Sequence, residues 1–474
     1  MPFSSSLFIH VFLPLFFLAY WATPKAQKNW TAIVFSLGFY AWGAPRFLPV
    51  VLTLGIVDYY VSHAIARAVA AERVRVAKVL LGLGVTVHLS MLAYFKYSNF
   101  FVAQANAVLP SLGVHELKWV EVVLPIGISF ITFEEISYLV DVYRRDAHPS
   151  RRLSHYVLFL TFFPHSIAGP IFRWKDLERQ LAERSQSWSL AREGFERFSL
   201  GLAKKVLVAD SVAIIADGVF GLPLAQLSSA WAWLGAIAYT LQIYFDFSGY
   251  SDMAIGLGKL AGFQFKENFN QPYIASSIGE FWQRWHISLS SWLRDYLYIP
   301  LGGNRAGRAR ATVNIVLVFT ISGLWHGAAW TFVVWGLFHG VLVAVERLLS
   351  RFTFRPPRFL QHTLTLVLVV VGWVFFRAAS LSHAFAMLRS MFGAPATEAL
   401  HPFFGELCPR FAMAALALGG LITCLPILWK GRPLGESSSR RLGMLRTIAS
   451  PLLFALSAMH LTNARVTPLI YFKF

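Results

Sequence analysis

The chain has 474 residues, of which 56% are hydrophobic and only 14% are charged, and its mean hydropathy is +0.54. A soluble chain would carry about 25% charged residues, so the composition excludes a pair of soluble domains and predicts a membrane protein. The net charge is +18, but the basic residues cluster in loops between apolar runs, which argues against nucleic-acid binding. The two cysteines, Cys408 and Cys424, are too few for a metal site, and we expect none.

Apolar runs recur along the whole chain. They cover residues 7–22, 30–45, 47–65, 78–100, 119–141, 196–220, 229–248, 312–326, 328–349, 360–377, 411–429 and 447–462. Because a helix rises about 1.5 Å per residue, roughly 20 residues cross the hydrocarbon core. The sequence therefore predicts an all-α polytopic membrane protein. We expect about 11–12 spanning helices in a single integral-membrane domain over residues 1–474.

Loop charges orient these runs. The loops that carry the basic clusters are 66–78, 143–153, 351–359 and 430–446, whereas loop 101–118 carries one lysine. Basic loops stay in the cytoplasm, and counting spans from them puts both termini outside the cytoplasm. The first six residues lack a positive region, so we expect a retained first span and not a cleaved signal peptide.

Three segments depart from simple spans. Residues 154–170 lie between two basic stretches and contain Pro164 and Pro170, which predicts a re-entrant segment buried in protein. Residues 249–311 are too polar to face lipid and too apolar for a free loop, which favours a cytoplasmic cap with half-inserted helices. The charged stretch 173–197 is typical of an amphipathic surface helix.

A histidine stands in the apolar stretch Ile321-Ser-Gly-Leu-Trp-His326-Gly-Ala-Ala-Trp330. An ionisable residue at membrane depth is costly and marks a functional site by default. Gly323 and Gly327 flank His326, and small residues let another backbone or a ligand approach closely. Ser322 precedes His326 by one helical turn and could form a nucleophilic pair with it. A hydroxyl bonded to its own helix backbone is the favoured interpretation of Ser322.

Other ionisable residues also fall at apparent membrane depth. They are Asp246, His286, His339, Glu134, Glu135 and Asp141. Asp246 fits a functional site or a structural pair about equally well, whereas hydrogen bonding between helices is favoured for His339. Adjacent positions cannot both face one partner, so Glu134 and Glu135 are also interpreted as interhelical hydrogen bonders. Lys204 and Lys205 are expected to extend to the cytoplasmic interface.

Motifs along nearly the whole chain resemble those of the membrane-bound O-acyltransferase superfamily, in its bacterial alginate O-acetyltransferase (AlgI-like) branch. They are Pro2-Phe-Ser-Ser5, Leu124-Pro-Ile-Gly-Ile-Ser-Phe130, Ile136-Ser-Tyr-Leu-Val-Asp-Val-Tyr143, Phe162-Phe-Pro-His-Ser-Ile-Ala-Gly-Pro-Ile171, Tyr244-Phe-Asp-Phe-Ser-Gly-Tyr-Ser-Asp252, Asn268-Phe-Asn-Gln-Pro-Tyr273, Phe281-Trp-Gln-Arg-Trp-His-Ile-Ser-Leu-Ser290, Gly323-Leu-Trp-His-Gly327 and Ile470-Tyr-Phe-Lys-Phe474. The resemblance implies that His326 is the catalytic histidine and that His286 occupies the position of the second polar catalytic residue. Glu134-Glu135 departs from the neutral glutamine that the family usually has near this point.

The resemblance implies acyl transfer from a thioester to a hydroxyl, with neutral His326 as the general base. Acetyl-CoA is the expected co-substrate, with no other cofactor, and the acceptor is an extracytoplasmic polysaccharide reached through a partner acetyltransferase outside the cytoplasm. The expected location is the bacterial inner membrane, surrounded by lipid. The residues that we expect to bind substrate are Trp325, His339, Asp246, Arg284, Arg305 and Arg308, of which the arginines suit the phosphates of the donor.

Alternatives stay open on the sequence alone. A transporter or channel for an acyl group or a glycan precursor would also place His and Asp in the membrane, although no internal repeat supports it. Within the enzyme class, the acceptor could be alginate, cellulose, another exopolysaccharide or peptidoglycan, with D-alanyl transfer to teichoic acid more remote. The acyl group could pause on Ser322 or His326, or transfer directly.

Overall fold

The computed structural model describes residues 2–167, 169–305, 307–350, 356–393, 404–428 and 436–463. These residues form helices and turns and contain no β-strand, so the predicted all-α class is confirmed. The helices are α1 Leu13–Ala22, α2 Lys28–Gly43, α3 Leu48–Ala70, α4 Val74–Leu92, α5 Ser98–Val108, α6 Ile128–Arg144, α7 Leu153–Thr161, α8 Trp174–Ala182, α9 Trp188–Ala203, α10 Asp210–Phe220, α11 Ser229–Leu260, α12 Ile278–Arg284, α13 Ile287–Leu293, α14 Arg308–His326, α15 Trp330–Leu349, α16 Arg358–Arg377, α17 Leu381–Met391, α18 Phe404–Leu407, α19 Arg410–Leu428 and α20 Glu436–Asn463.

Several of these helices can cross a bilayer. Within the described ranges, five segments are long and apolar enough: Leu48–Ala70, Val74–Leu112, Trp330–Leu349, Arg358–Arg377 and Gly443–Thr462. Shorter apolar helices cover Phe8–Ala22 and Arg410–Leu425. The chain is therefore a multi-pass membrane protein, and the larger predicted number of spans stays a prediction. Predicted basic-loop residues Arg351, Arg355, Lys430 and Arg432 and the motif at 470–474 lie outside the described residues.

Three helix boundaries differ from the sequence prediction. The run 119–141 is helical only from Ile128, because Gly127 adopts a left-handed conformation with φ +80° and Pro125 lacks an amide donor. α11 continues through the predicted start of the cap to Leu260. Its polar residue Asp252 is paired with Lys204 at 2.6 Å, so the helix need not end there. The predicted surface helix 173–197 is divided into α8 and α9.

The chain forms two units by its internal contacts. Unit 1 comprises Met1–Glu193 with Leu257–Phe265, and unit 2 comprises Gly194–Gly256 with Lys266–Phe474. In unit 1, α3, α4 and α6 pack side by side, and α2 packs on α7. Irregular, mostly buried backbone follows α7 from Phe162 onward, within the segment predicted to be re-entrant.

A buried hydrogen-bonded triad joins three helices of unit 1. His88 on α4 contacts Asp58 on α3 through Nε2 at 2.7 Å and Glu135 on α6 through Nδ1 at 3.0 Å. A histidine can donate to two carboxylates at once only as imidazolium. The three side chains could also hold a metal ion, but each carboxylate faces a different ring nitrogen, which favours the hydrogen-bonded triad.

The neighbouring carboxylate, Glu134, has a different partner. Its Oε1 lies 3.1 Å from Nδ1 of His165, and both side chains are fully buried. The adjacent glutamates thus face different elements of unit 1. Glu135 bonds between helices as predicted, whereas Glu134 bonds His165 in the irregular backbone after α7. Polar groups surrounded by apolar helices have to be satisfied by protein, because lipid offers no hydrogen bonds.

Unit 2 contains an extended hydrophobic core rich in tryptophan. Trp285, Trp335 and Trp373 are each 1% exposed and belong to it. The helical hairpin of α14 and α15 packs most closely at two glycines. A Cβ on Gly323 would lie 3.0 Å from the Cα of Gly336 and would overlap the carbonyl oxygen of Phe332. The predicted role of Gly323 in close backbone approach is therefore confirmed.

Replacing Gly323 by alanine should destabilise this hairpin. The new Cβ meets backbone atoms, which cannot rotate away, so we expect a loss of roughly 1–3 kcal/mol from overpacking. Thermal melting of the purified protein in detergent measures the effect. The matched control is Gly38→Ala in α2, where a Cβ meets nothing within 4 Å. Equal melting temperatures for both variants would contradict the tight packing.

Replacing His88 by alanine should destabilise unit 1 strongly. The change leaves Asp58 and Glu135 buried without a cation, a loss of about 3–5 kcal/mol. A lower melting temperature is expected for His88→Ala, with substantial recovery in the combined variant Asp58→Asn/His88→Leu/Glu135→Gln, which removes the charges together. His63→Ala is the control, since its ring bonds only the Tyr59 carbonyl of its own helix. A wild-type melting curve for His88→Ala would refute the triad.

Candidate active site

His286 lies at a sharp joint between two short helices of unit 2. α12 ends at Arg284 and α13 begins at Ile287. The serine that precedes α12, Ser277, caps it by accepting a hydrogen bond from the amide of Glu280 at 3.0 Å. His286 itself adopts a left-handed conformation with φ 45°, which is costly for a residue with a side chain and is maintained only by its surroundings. Its ring is completely buried.

Asn268 determines the orientation of the His286 ring. Its Oδ1 accepts hydrogen bonds from the Ser288 amide at 3.1 Å and the Ser288 hydroxyl at 2.9 Å, and it lies 3.2 Å from Nδ1 of His286. The backbone N–H of Ser288 can only donate, so the Asn268 side-chain atom that faces it is the oxygen Oδ1. The Asn268 Nδ2 group donates to Ser251 at 3.1 Å.

The same contacts assign the tautomer of His286. Facing an acceptor, Nδ1 carries the proton, and in the neutral ring Nε2 then keeps its lone pair. Burial lowers the pKa of His286 to about 3, because a charged ring is disfavoured away from water. His286 is therefore neutral at physiological pH.

His326 is the last residue of α14 and lies in an aromatic cage. Trp325, Trp335 and Phe376 present their rings at centroid distances of 5.0, 5.1 and 5.5 Å, each close to perpendicular. The His326 side chain is almost fully buried at 4% exposure. Tightly packed aromatic walls fix the position of the imidazole and exclude water from most of its surface.

The structure brings the two predicted catalytic histidines together. Their ring centroids are 6.4 Å apart, although 40 residues separate them in sequence. A side chain can transfer a proton within hydrogen-bond reach, about 2.6–3.2 Å between heavy atoms. One reacting group between the rings can therefore contact both of them. No hydrogen bond joins Ser322 to His326 among the described residues, so the geometry offers no support for a nucleophilic Ser–His pair.

Trp325 and His339 occupy different positions relative to His326. The Trp325 ring contacts the His326 ring directly. His339 packs against Trp335, whose ring centroid lies 5.1 Å from that of His326 and 5.3 Å from that of His339. His339 is completely buried, and its Nδ1 accepts a hydrogen bond from Nε1 of Trp282 at 3.4 Å. The hydrogen bonding between helices that was favoured for His339 is therefore present.

Asp246 is held in a buried ion pair. Lys205 lies 2.7 Å from it and 2.5 Å from Asp210, and the Lys205 side chain is only 4% exposed. Lys204 in turn pairs with Asp252. Asp246 and Asp210 draw the Lys205 side chain inward, against the expected outward extension. The Lys204 side chain is 21% exposed, so its expected extension to the interface stays a prediction.

The three predicted donor-binding arginines have different surroundings. Arg284 is engaged by Glu280 at 2.9 Å and by the Asn270 carbonyl at 3.1 Å. Arg305 and Arg308 are exposed near the start of α14. The exposed pair is therefore available to an anionic ligand, whereas Arg284 already has a counter-charge.

The supporting polar residues around His286 were not selected from the sequence. Asn268, Ser251 and Ser288 carry no charge, and neutral polar residues do not stand out in a chain read for charges at membrane depth. Each of them lies within a motif of the family resemblance, at 244–252, 268–273 or 281–290. Those motifs were the available signal, but the contact between them is tertiary.

Comparison with known proteins identifies the family of the chain. The family model for the membrane-bound O-acyltransferase family matches residues 76–388. The probable alginate O-acetylase AlgI of Azotobacter vinelandii is 48% identical over 396 residues, which cover 83% of this chain and 78% of that relative. The peptidoglycan O-acetyltransferase of Helicobacter pylori is 37% identical over 437 residues, covering 84% and 81%.

A more distant relative is the teichoic acid D-alanyltransferase of Bacillus subtilis, 28% identical over 265 residues, or 52% of this chain and 65% of that protein. The region matched by the family model, residues 76–388, contains both His286 and His326. Their rings are buried and closely spaced. The chain belongs to the membrane-bound O-acyltransferase family and is an O-acyltransferase.

Proposed function

We propose that the protein takes an acetyl group from cytosolic acetyl-CoA and supplies it for O-acetylation of an extracytoplasmic polysaccharide, such as alginate. The observation that carries the mechanism is the close approach of His286 and His326, whose ring centroids are 6.4 Å apart in a buried aromatic core. An acyltransferase needs a base that is neutral, fixed and shielded from water, and a buried imidazole meets these requirements.

In the proposed reaction His326 accepts the proton of the attacking hydroxyl. The hydroxyl oxygen forms a bond to the thioester carbonyl carbon, and the carbon–sulfur bond of acetyl-CoA then breaks. The sulfur leaves as thiolate and receives the proton from the His326 imidazolium, so the enzyme returns to its starting state. Such general-base assistance contributes about 10²–10⁴-fold to the rate.

His286 has a different proposed role. Its Nδ1 proton is directed to Asn268, so its Nε2 lone pair can accept a hydrogen bond from the reacting hydroxyl. The low pKa of His286, about 3, makes it a weak base. Orientation of the hydroxyl is therefore its proposed contribution, while proton removal belongs to His326.

The acceptor is proposed from the relatives. Alginate is named for the Azotobacter relative and peptidoglycan for the Helicobacter relative, and the identity to the former is higher. We propose alginate or a similar exopolysaccharide first, with peptidoglycan or cellulose as alternatives. The proposed location of the protein is the bacterial inner membrane. Transfer to the polymer then requires a partner acetyltransferase outside the cytoplasm. The alternative class is a transporter for an acyl group. Transport is observed only between two compartments separated by a membrane, whereas an enzyme releases CoA from acetyl-CoA even when purified in detergent.

Replacing His326 by glutamine should abolish acetyl transfer. Glutamine keeps a polar side chain but cannot remove a proton at neutral pH, so the rate should fall by about 10²–10⁴-fold. The measurement is CoA release from acetyl-CoA by purified protein in the presence of the acceptor polysaccharide and the partner acetyltransferase. His63→Gln, on α3 in unit 1, is the matched control and should retain activity. A normally folded His326→Gln variant with near-normal turnover would eliminate the base assignment.

Replacing Asn268 by alanine should lower kcat by roughly tenfold with little change in KM, since the hydrogen bond that orients the His286 ring, about 1.4 kcal/mol, is lost. Asn268→Ser, which retains an oxygen, should recover part of the rate. The control is Asn270→Ala, an exposed side chain in the same motif. If Asn268→Ala changed only the melting temperature, its role would be structural and not positional.

Charge reversal at Arg305 and Arg308 should raise the KM for acetyl-CoA. Both side chains are exposed, so folding and kcat should change little. We expect an increase of about tenfold, corresponding to ~1.4 kcal/mol of lost attraction to the phosphates. Arg358→Glu, an exposed arginine at the start of α16, serves as the control. An unchanged KM would remove the pair from the donor site.

A further inference from the structure

A large cavity lies within unit 1, whereas the histidine pair belongs to unit 2. Its volume is about 1170 Å³. Three segments line it: residues 25–29 at the start of α2, residues 148–155 at the start of α7, and residues 174–186, which comprise α8 and the turn after it. The charge-based topology predicts loop 143–153 on the cytoplasmic side, so the cavity is expected to open toward the cytosol.

The lining of this cavity is strongly basic. Its cationic side chains are Lys25, Lys28, Arg151, Arg152, Arg179 and Arg184, and its carboxylates are Glu178 and Glu183. None of these six cations forms an ion pair with a described residue within 4.0 Å, in contrast to His88 and Lys175 of the same unit. The positive charge around the cavity is therefore not neutralised by the protein.

Neutral partners fix two of the cations in place. The Arg184 guanidinium donates to the Tyr20 hydroxyl at 2.9 Å and to Oδ1 of Asn29 at 2.6 Å. It also lies over the Phe263 ring at 4.5 Å. Lys28 is 8% exposed and donates to Oε1 of Gln186 at 2.5 Å. Its ammonium also lies 4.8 Å from the centroid of the Tyr20 ring. A buried lysine with only neutral partners is unusual, because burying a cation without a counter-charge is costly.

Titration behaviour agrees with an uncompensated positive potential. The pKa of Lys28 is lowered by burial and further by the charges of Arg184 and Lys25. The pKa of His155 is lowered in the same way, by burial first and then by Arg152 and Arg184. An anion in the cavity would relieve this repulsion.

We propose that this cavity binds a phosphate-bearing anion from the cytosolic side, held by Arg151, Arg152, Arg179 and Arg184. Guanidinium groups bind phosphate through paired N–H donors. The volume is large for one phosphate and slightly exceeds the usual size of small-molecule sites, about 300–1,000 Å³. The phosphate comes either from the headgroup of an anionic phospholipid or from a soluble phosphate compound.

Two probes distinguish these sources. Binding of inorganic pyrophosphate to the purified full-length protein is measured by calorimetry. Retention of phosphatidylglycerol, compared with phosphatidylcholine, is measured by native mass spectrometry. Selective binding of either probe supports the site and identifies its source, whereas binding of neither overturns the proposal.

Charge-neutralising variants locate the binding. The triple variant Arg151→Gln/Arg152→Gln/Arg179→Gln should lower the affinity for the bound probe by at least about tenfold. The matched control, Arg73→Gln/Arg75→Gln/Lys78→Gln, removes the same charge from the basic start of α4 in unit 1 and should bind normally. Equal weakening in both variants would overturn the proposal, because it would show only a general charge effect. If the triple variant fails to fold, the double variant Arg151→Gln/Arg152→Gln replaces it and is judged by the same criterion.

Discussion

The constraint on which this structure depends is that polar groups among apolar helices must be satisfied by other parts of the protein, since lipid supplies no hydrogen bonds. In unit 1 this requirement joins α3, α4 and α6 through His88 and its two carboxylates. In unit 2 it draws Lys205 inward to Asp246 and Asp210. Each pair fixes which helix faces meet, because a mismatched register would leave a charge buried without a partner.

The two proposed catalytic histidines use the same constraint differently. The Nδ1 atom of His286 faces the neutral Oδ1 of Asn268. His326 is surrounded by aromatic rings. A carboxylate beside either ring would stabilise imidazolium, as the triad around His88 does. Neutral and aromatic neighbours favour the unprotonated imidazole, which the proposed general-base catalysis requires.

The positive charge of the chain is likewise of two kinds. Lys204 and Lys205 are neutralised by buried carboxylates, and they contribute to helix packing. Around the cavity of unit 1, Lys28 and Arg184 are fixed by neutral groups and keep their charge available. A net charge of +18 therefore has more than one function. The positive-inside rule explains where basic residues lie, whereas the partners decide which of them can bind a ligand.

The length of the apolar runs and the loop charge were sufficient to predict an all-α membrane protein, because apolar runs of helical length have few other stable structures in a bilayer. The cost of an ionisable group in lipid identified His326, and its flanking glycines indicated the close approach seen at Gly323. Tertiary structure alone decided the partners: His165 for Glu134, His88 for Glu135, and Asn268 for His286. These contacts join residues that are distant in sequence, so they depend on which helix faces meet. No local pattern encodes that choice.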